Sequence, residues 1–289
     1  MMKIRADKPL DPIRQSVLSA ISDVADQFGI SVFLVGATAR EIILEHVFDS
    51  KQGRETRDLD FAFALESWDQ FKRIKASLAE TPGFEESDKE AQRMYFRLEG
   101  LAHPFIIDLI PFGGIESRPN QIAWPPEMSI YMNVAGFQDV LSAAIDVEFM
   151  EGRSIKIASL AGISVLKIFA WGDRRHEASK DAEDLATLMN CYATAGNQNR
   201  LYEEAADAFE AVDFNLELAG SWLLGWDAAK IVSEKTAESL LSIMTSRETA
   251  DRLILDMTKG IKWLGDPVGL ATQLRDQFLK GFKAARAHK

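Results

Sequence analysis

The chain has 289 residues, of which 47% are hydrophobic and 27% are charged, a composition typical of globular proteins and unlike that of disordered chains. The 33 basic and 44 acidic residues give a formal net charge of −11, so a polyanion would have to be bound through a local basic patch or through metal ions. The single cysteine, Cys191, excludes an internal disulfide framework and indicates a cytoplasmic protein. We expect no membrane segment, because no uninterrupted apolar run is long enough to span a bilayer.

The first 158 residues alternate helix and strand patterns, which predicts an α+β domain. Apolar residues at three- and four-residue steps over 13–28 predict an amphipathic helix that Gly29 would end. A short apolar run at 31–35 predicts a buried strand, which Gly36 would connect to a second helix over 37–47. The elements expected next are a loop at 48–56, a strand at 58–63, a helix at 68–78, a hairpin with strands at 93–98 and 104–110, a loop at 111–126 and two strands within 147–157.

From residue 159 onward, helical patterns replace the strand patterns. Helices are expected at 160–171, 180–192, 201–212, 216–231, 234–245, 248–264 and 267–285. The sequence therefore predicts two domains, an α/β core over 1–158 and an all-helical domain over 159–289.

Three aspartates stand within apolar strand patterns. In a strand, Asp58 and Asp60 project to one face and Leu59 to the other. Adjacent carboxylates on an apolar strand repel each other and are costly to desolvate, and a cation such as Mg²⁺ removes that cost. Asp108 lies within the apolar run 105–110, which an edge position or a hydrogen-bonded turn would explain. Alternatively its strand lies beside that of Asp58 and Asp60, and three carboxylates converge to hold two Mg²⁺ ions for phosphoryl or nucleotidyl transfer.

The segment after residue 35 combines a strand, a glycine turn and a helix N-terminus. The free N–H groups and the dipole of such a terminus favour a phosphate. Gly36 would let the main chain approach it, Thr38 offers a hydroxyl, and Arg40 would reach the same phosphates or brace a carboxylate. An ordinary strand–turn–helix connection would show the same pattern, so this segment alone does not establish a phosphate site.

Two of these segments together resemble a known superfamily. Residues 33–40 (Phe-Leu-Val-Gly-Ala-Thr-Ala-Arg) followed by 56–61 (Thr-Arg-Asp-Leu-Asp-Phe) are similar to the nucleotidyltransferases of the DNA polymerase β type. Lys167, the segment 171–175 (Trp-Gly-Asp-Arg-Arg) and the segment 180–185 (Lys-Asp-Ala-Glu-Asp-Leu) narrow the resemblance to the AbiEii-type nucleotidyltransferase toxins, including the MenT group. Two departures are Ala37, which replaces a second glycine, and Arg57, where some members carry serine.

The resemblance implies a polymerase-β-like core, Mg²⁺, and transfer of NMP from an NTP to an acceptor hydroxyl, which in the MenT group is the 3′ end of tRNA. It also implies a cognate antitoxin protein as a partner. Asp58, Asp60 and Asp108 would bind the metal, and Asp108 would help to activate the acceptor hydroxyl. Lys167 would act in catalysis by contacting the nucleotide phosphates, and the further residues implied in nucleotide binding are Gly36, Ala37, Thr38, Arg40, Arg174, Lys180 and Asp184.

Several alternatives remain open at this point. Lys167 lies on an otherwise apolar helix face, and its side chain would also reach solvent if it snorkelled past its neighbours. Arg174, Arg175 and Lys180 would form either a phosphate-binding face or a solvated helix end. The same site would serve an enzyme that modifies a protein hydroxyl with a nucleotide. A catalytically silent binding or regulatory module is the last alternative, and the three intact aspartates argue against it.

Overall fold

A computed structural model of the protein describes residues 1–50, 58–100, 103–261 and 265–288. These residues form two compact units, and the main boundary between them in the sequence lies between Ala158 and Ser159. Phe48, which lies next to Gly196, belongs to the second unit. All described strands lie in the first unit and the described elements of the second unit are helices, so the chain has the predicted α+β fold class.

The first unit is built on a mixed sheet flanked by helices. The described strands, in chain order, are β1 (Met2–Lys3), β2 (Val32–Val35), β3 (Asp58–Ala64), β4 (Phe84–Glu86), β5 (Arg93–Phe96), β6 (Phe105–Phe112), β7 (Gln121–Trp124), β8 (Ile130–Asn133), β9 (Ile145–Met150) and β10 (Arg153–Ile157). Within the described residues, eight of them form one sheet in the order β1-β9-β10-β2-β3-β6-β5-β4, and β7 pairs with β8. The strand β3 therefore lies near the centre of the sheet, antiparallel to β2 and parallel to β6.

The helices of the first unit begin and end at recognisable signals. They are α1 (Pro12–Phe28), α2 (Gly36–Glu41), which continues as a π-helical segment (Ile42–Val47), α3 (Trp68–Ala79) and α4 (Phe137–Ser142). Asp11 caps α1 by accepting from the main-chain N–H groups of Ile13 and Arg14. Gly29, in the left-handed conformation, ends the same helix.

The second unit is helical throughout its described residues. Its helices are α5 (Leu160–Arg174), α6 (Lys180–Cys191), a π-helical segment (Ala193–Asn197), α7 (Gln198–Glu203), α8 (Ala206–Glu210), α9 (Leu216–Ile231), α10 (Glu234–Thr245), α11 (Arg247–Thr258) and α12 (Pro267–Ala287). Leu223, Leu224, Phe278 and Phe282 are fully buried, so this unit has a hydrophobic core of its own. None of the described helices combines the length and the apolar composition that crossing a bilayer requires.

The structure corrects some of the predicted elements. The predicted loop at 111–126 contains the end of β6 and the whole of β7, and the predicted helix at 201–212 is divided into α7 and α8. The predicted helix at 37–47 is π-helical in its second half. Part of the predicted loop at 48–56 and the end of the predicted helix at 248–264 lie outside the described residues.

Candidate active site

The first two aspartates lie on one face of β3. Leu59 and Phe61 are buried, whereas Asp58 is exposed and Asp60 is half-buried. Because side chains alternate along a strand, both carboxylates project to the face opposite to Leu59. The prediction of a strand with its two acids on one face is confirmed.

Asp108 lies directly beside Asp60 in the sheet. The parallel register of β3 and β6 places Asp60 opposite Asp108 and Asp58 opposite Ile106. Neighbouring strands are about 5 Å apart, and opposite residues project to the same face. The edge and turn explanations for Asp108 are wrong, because β6 has β3 on one side and β5 on the other. The alternative explanation, that its strand lies beside that of Asp58 and Asp60, is confirmed.

The cationic residue Arg93 lies next to Asp108 in the sheet, so that Asp60, Asp108 and Arg93 are neighbours on three adjacent strands. It lies opposite Asp108 in the antiparallel pair of β5 and β6. Its Nε and Nη2 atoms donate to Oδ1 and Oδ2 of Asp108 at 2.9 and 3.0 Å, a two-pronged geometry that fixes the carboxylate in position and orientation. The hydrogen bonds to Asp108 raise the pKa of the Arg93 guanidinium further above its ordinary value.

The sequence does not assign Arg93 to the site. Its partner lies fifteen positions further along the chain and is determined by the register of a hairpin. The available signal is that Arg93 occupies the polar side of the alternating strand pattern 93–98, the strand expected to pair with that of Asp108.

The glycine turn after β2 contacts the carboxylate of Asp60. Gly36 has a φ of +74°, and a Cβ atom at this position would lie only 2.2 Å from Oδ2 of Asp60. Val35, the last residue of β2, lies opposite Asp60 in the sheet. Glycine is therefore required here both by the backbone conformation and by the close approach of the Asp60 carboxylate. The turn thus adjoins the three carboxylates of Asp58, Asp60 and Asp108, which we call the acidic row.

Thr38 and Arg40 are placed differently from the prediction that they contact nucleotide phosphates. Thr38 is fully buried, and its hydroxyl donates to the main-chain oxygen of Asp58 at 2.6 Å. Thr38 thereby holds the start of β3 against α2. The predicted contact between its hydroxyl and a phosphate is corrected, because a buried hydroxyl that already donates to the main chain does not face a phosphate. Arg40 is only 2% exposed, which favours its bracing role over contact with phosphates. Ala37 and Gly36 are partly exposed.

The second unit holds a separate charged cluster around Lys167. Its Nζ atom lies 2.9 Å from Oδ1 of Asp181 and 2.7 Å from Oδ2 of Asp184. Burial by itself would lower the pKa of the Lys167 ammonium, but Asp184 and Asp181 outweigh burial and raise it. Lys167 is thus held by two carboxylates, and the snorkelling alternative is wrong.

The other residues of this cluster differ in accessibility. Asp181 is buried, and it also accepts from Nη2 of Arg174 at 2.7 Å. Sequence reasoning did not single it out, although it stands within the segment 180–185. Arg174 and Lys180 are exposed, so their side chains remain accessible to an anion.

The acidic row suits a hard divalent cation. Asp58, Asp60 and Asp108 offer carboxylate oxygens, which are the ligands that Mg²⁺ prefers. Both oxygens of Asp108 accept from Arg93, and a carboxylate oxygen that accepts one hydrogen bond keeps a further lone pair. The row therefore fits a divalent cation held by the carboxylates of Asp58, Asp60 and Asp108, with Arg93 fixing the orientation of Asp108.

The chain matches the model of a nucleotidyltransferase family over most of its length. A family model described as "Nucleotidyl transferase AbiEii toxin, Type IV TA system" matches residues 17–258. The chain therefore belongs to the AbiEii nucleotidyltransferase toxin family, and the resemblance found in the sequence is confirmed.

Several solved structures have more distant similarity to this chain. A nucleotidyltransferase-like antigenic protein from Paracoccidioides brasiliensis is 15% identical, with a TM-score of 0.41, over 70% of this chain and 91% of the other. The antibiotic-resistance factor ANT(2'')-Ia is 15% identical, with a TM-score of 0.37, over 71% and 98%. A Thermotoga maritima CCA-adding enzyme complexed with tRNA is 11% identical, with a TM-score of 0.26, over 97% and 84%. Comparison with curated protein sequences gives no significant match.

Proposed function

We propose that this protein transfers an NMP group from an Mg²⁺-bound NTP to an acceptor hydroxyl. The observation that carries the proposal is the position of Asp60, which lies between the Gly36 turn on one side and Asp108 on the other. Carboxylates for a metal and main-chain N–H groups for phosphates are thus adjacent. We further propose that residues 1–158 form the transferase domain and residues 159–289 a helical domain.

In this proposal, each candidate residue of the first unit has a distinct role in metal binding, phosphate binding or proton transfer. Asp58, Asp60 and Asp108 would hold two Mg²⁺ ions, which when bound supply positive charge against the triphosphate and align the reacting groups. The main chain at Gly36 and Ala37 would donate to phosphate oxygens. Arg93 orients the Asp108 carboxylate, whose oxygens keep lone pairs that can accept the proton of the acceptor hydroxyl.

The residues of the Lys167 cluster have a role in the same proposal. Lys167 would contact nucleotide phosphates, and its ion pairs with Asp181 and Asp184 keep the ammonium charged. The exposed Arg174 and Lys180 would contribute further positive charge. A charged, oriented ammonium is the form that binds a phosphate oxygen.

For the acceptor we propose RNA, specifically the 3′ end of tRNA, as the resemblance to the MenT group implies. The net charge of −11 opposes diffuse binding of a polyanion, so local cations such as Arg174 and Lys180 would have to meet the RNA. The family is described as a type IV toxin–antitoxin system, which supports a cognate antitoxin protein as a second partner.

The test is a labelling reaction with the purified full-length chain. The protein is incubated with Mg²⁺, each of four α-³²P-labelled NTPs, total RNA and lysate protein, beside the variant Asp58→Asn/Asp60→Asn. We expect label in a tRNA-sized band, reduced at least about a hundredfold by the double substitution, since loss even of groups that only orient metal ligands costs 10–100-fold. Asp88→Asn, an exposed aspartate outside the row, is the matched control and should retain full activity.

The other outcomes discriminate between the alternatives. Label in a protein band would replace the RNA acceptor with a protein hydroxyl while preserving the transfer reaction. No label in any band, together with no Mg²⁺-dependent binding of NTP, would contradict the enzymatic proposal and leave a silent binding module.

A further inference from the structure

A second group of candidate metal ligands lies on the helix that follows the Gly36 turn. Glu41, Glu45 and His46 each offer one ligand atom, and these atoms lie within 4.8 Å of one another. None of the three belongs to the acidic row of Asp58, Asp60 and Asp108. Two carboxylates and one imidazole form a donor set typical of Zn²⁺ and related transition-metal ions, whereas Mg²⁺ prefers oxygen ligands alone.

The helix geometry explains why these three side chains converge. Glu41 is the last residue of α2, and the π-helical segment Ile42–Val47 follows at once. In a π-helix the hydrogen bond runs from residue i to residue i+5, so the wider turn brings the residues four and five positions after Glu41 back to its side. In a regular α-helix the residues three and four positions on share a face, so Glu45 but not His46 would lie beside Glu41.

The Glu41 carboxylate has one satisfied and one unsatisfied oxygen. Its Oε1 atom accepts from Nη1 of Arg14 at 2.7 Å. Its Oε2 atom is buried and has no hydrogen-bond partner among the described residues, and Glu41 as a whole is only 7% exposed. A buried carboxylate oxygen without a partner is unfavourable, and a bound cation would satisfy it while Arg14 holds the other oxygen.

The imidazole ring of His46 is oriented by a hydrogen bond to the main chain. Its Nδ1 atom lies 2.7 Å from the main-chain oxygen of Lys8, which can only accept, so Nδ1 is the donor in this contact. Nε2 is therefore the ring nitrogen left to bind a metal. Histidine ligands in metal sites usually donate their other N–H to a carbonyl or carboxylate in this way.

We propose that Glu41, Glu45 and His46 form a binding site for a transition-metal ion of the Zn²⁺ type, separate from the Mg²⁺ site of the acidic row. Glu41 Oε2, a Glu45 carboxylate oxygen and His46 Nε2 are the protein ligands. With two carboxylates and the Arg14 guanidinium, the site has a net negative charge that favours a divalent cation. The ion would stabilise the first unit by linking the turns of the π-helical segment.

The experiment measures metal binding without reference to transferase activity. Chelator-treated Asp58→Asn/Asp60→Asn protein, in which the acidic row is disabled, is dialysed against Zn²⁺ and its metal content is determined. We expect one saturable Zn²⁺ per chain, a higher Tm with Zn²⁺ present, and affinity at least tenfold weaker after His46→Asn or Glu45→Gln. A hundredfold excess of Mg²⁺ should not displace the ion. The matched controls His176→Asn and Glu80→Gln replace exposed residues outside the cluster and should bind Zn²⁺ unchanged.

The visible absorption spectrum of Co²⁺ added to the same proteins provides a second readout. Saturable absorption bands that are lost with His46→Asn, while the far-ultraviolet circular dichroism stays unchanged, support ligation by His46. The proposal is overturned if the double variant shows no saturable Zn²⁺ binding, or if its binding is the same with His46→Asn and Glu45→Gln. In either case Glu41 serves only as the ion-pair partner of Arg14.

Discussion

At the scale of single residues, the site depends on the absence of a side chain at Gly36. Because a Cβ atom would lie 2.2 Å from Oδ2 of Asp60, the substitution Gly36→Ala must displace either the acid or the turn. We expect at least a tenfold loss of kcat/KM for nucleotide transfer. We also expect a decrease of about 1–2 kcal/mol in the free energy of unfolding, since alanine is disfavoured at a φ of +74°. Steady-state kinetics and urea unfolding measure the two effects.

Gly29 provides a matched control for that substitution. It also has a positive φ, +64°, but a Cβ atom there would meet no atom within 4 Å. Gly29→Ala should therefore show a similar loss of stability with wild-type activity. Equal activity in the two variants would contradict the argument that contact with Asp60 matters.

Arg93 leads to a prediction about the metal requirement of the reaction. Arg93→Met removes the two hydrogen bonds that position Asp108 and leaves that carboxylate without its cation beside Asp60. The site becomes more negative and should bind Mg²⁺ more tightly, so the Mg²⁺ concentration for half-maximal activity should fall. We expect kcat to fall about tenfold because Asp108 is no longer held. Activity titrated against Mg²⁺ measures both quantities.

The neighbouring Arg97 is the control for Arg93. It also lies in the predicted strand pattern 93–98, but it is exposed and pairs with the exposed Glu85. Arg97→Met should change neither the Mg²⁺ requirement nor kcat. If Arg93→Met raised the Mg²⁺ requirement instead, the electrostatic argument for the acidic row would be wrong.

The residues differ in how far the sequence could predict their positions. Asp58 and Asp60 follow from strand alternation, and Asp108 from a polar residue within an apolar run. Thr38 could not be predicted, because only the folded contact with the Asp58 carbonyl shows that its hydroxyl is engaged. Asp181 was missed because a helical acid becomes informative only when its partner Lys167 is known to be buried beside it.

At the scale of elements, α5 and α6 are joined through Lys167. The substitution Lys167→Met leaves Asp184 without this cation and Asp181 with only the largely exposed Arg174. Removing one partner of a buried ion pair is strongly destabilising. We expect the free energy of unfolding to fall by about 3 kcal/mol at pH 7, as measured by urea unfolding.

The pH dependence of this effect has a definite sign. Asp184 and Asp181 outweigh the opposing effect of burial and raise the pKa of Lys167 above the ordinary value of 10.5. Below pH 10 the lysine is protonated in both the folded and the unfolded chain, and its contribution is complete. At higher pH the unfolded chain releases the proton first, so the contribution is lost as the pH rises through the folded pKa.

Unfolding of Lys167→Met and of the wild type at several pH values tests whether the stabilising contribution of Lys167 falls as the pH rises. The difference in free energy of unfolding should be constant from pH 7 to pH 10 and should shrink above that range. Because the two free energies of unfolding are subtracted at the same pH, the contributions of other groups that titrate in this pH range, such as Tyr192, are removed from the difference. A difference that grew with pH would contradict the assignment.

The elements also show where sequence patterns stop being informative. The helices α9 and α10 have the predicted ends. Apolar periodicity marks α10, and both helices begin after a capping residue, Asn215 and Ser233, whose side chain accepts from a main-chain N–H of the first turn. The strands β7 and β8 have four residues each, and β7 lies in a segment rich in proline and glycine, so neither gives a period-two pattern of useful length. The π-helical turn after Glu41 was missed because the segment has only six residues, too few for the spacing of its apolar residues to distinguish a π-helix from an α-helix.

At the scale of the whole molecule, the two units lead to a prediction about independent folding. The second unit has its own buried core, which includes Leu223, Phe278 and Phe282. The fragment 159–289 should therefore fold alone, with helical circular dichroism and a cooperative urea transition. It should have no transferase activity, because the acidic row lies in the first unit.

The substitution Lys167→Met, made in this fragment, makes the test quantitative. The partners of Lys167, Asp181 and Asp184, lie in the same unit, so the loss in free energy of unfolding should equal that in the full chain within about 0.5 kcal/mol. A fragment without a cooperative transition would contradict the proposed domain division. A cooperative fragment in which Lys167→Met had no effect would show instead that the cluster forms only in the complete chain, and the ion pairs would then depend on residues before 159.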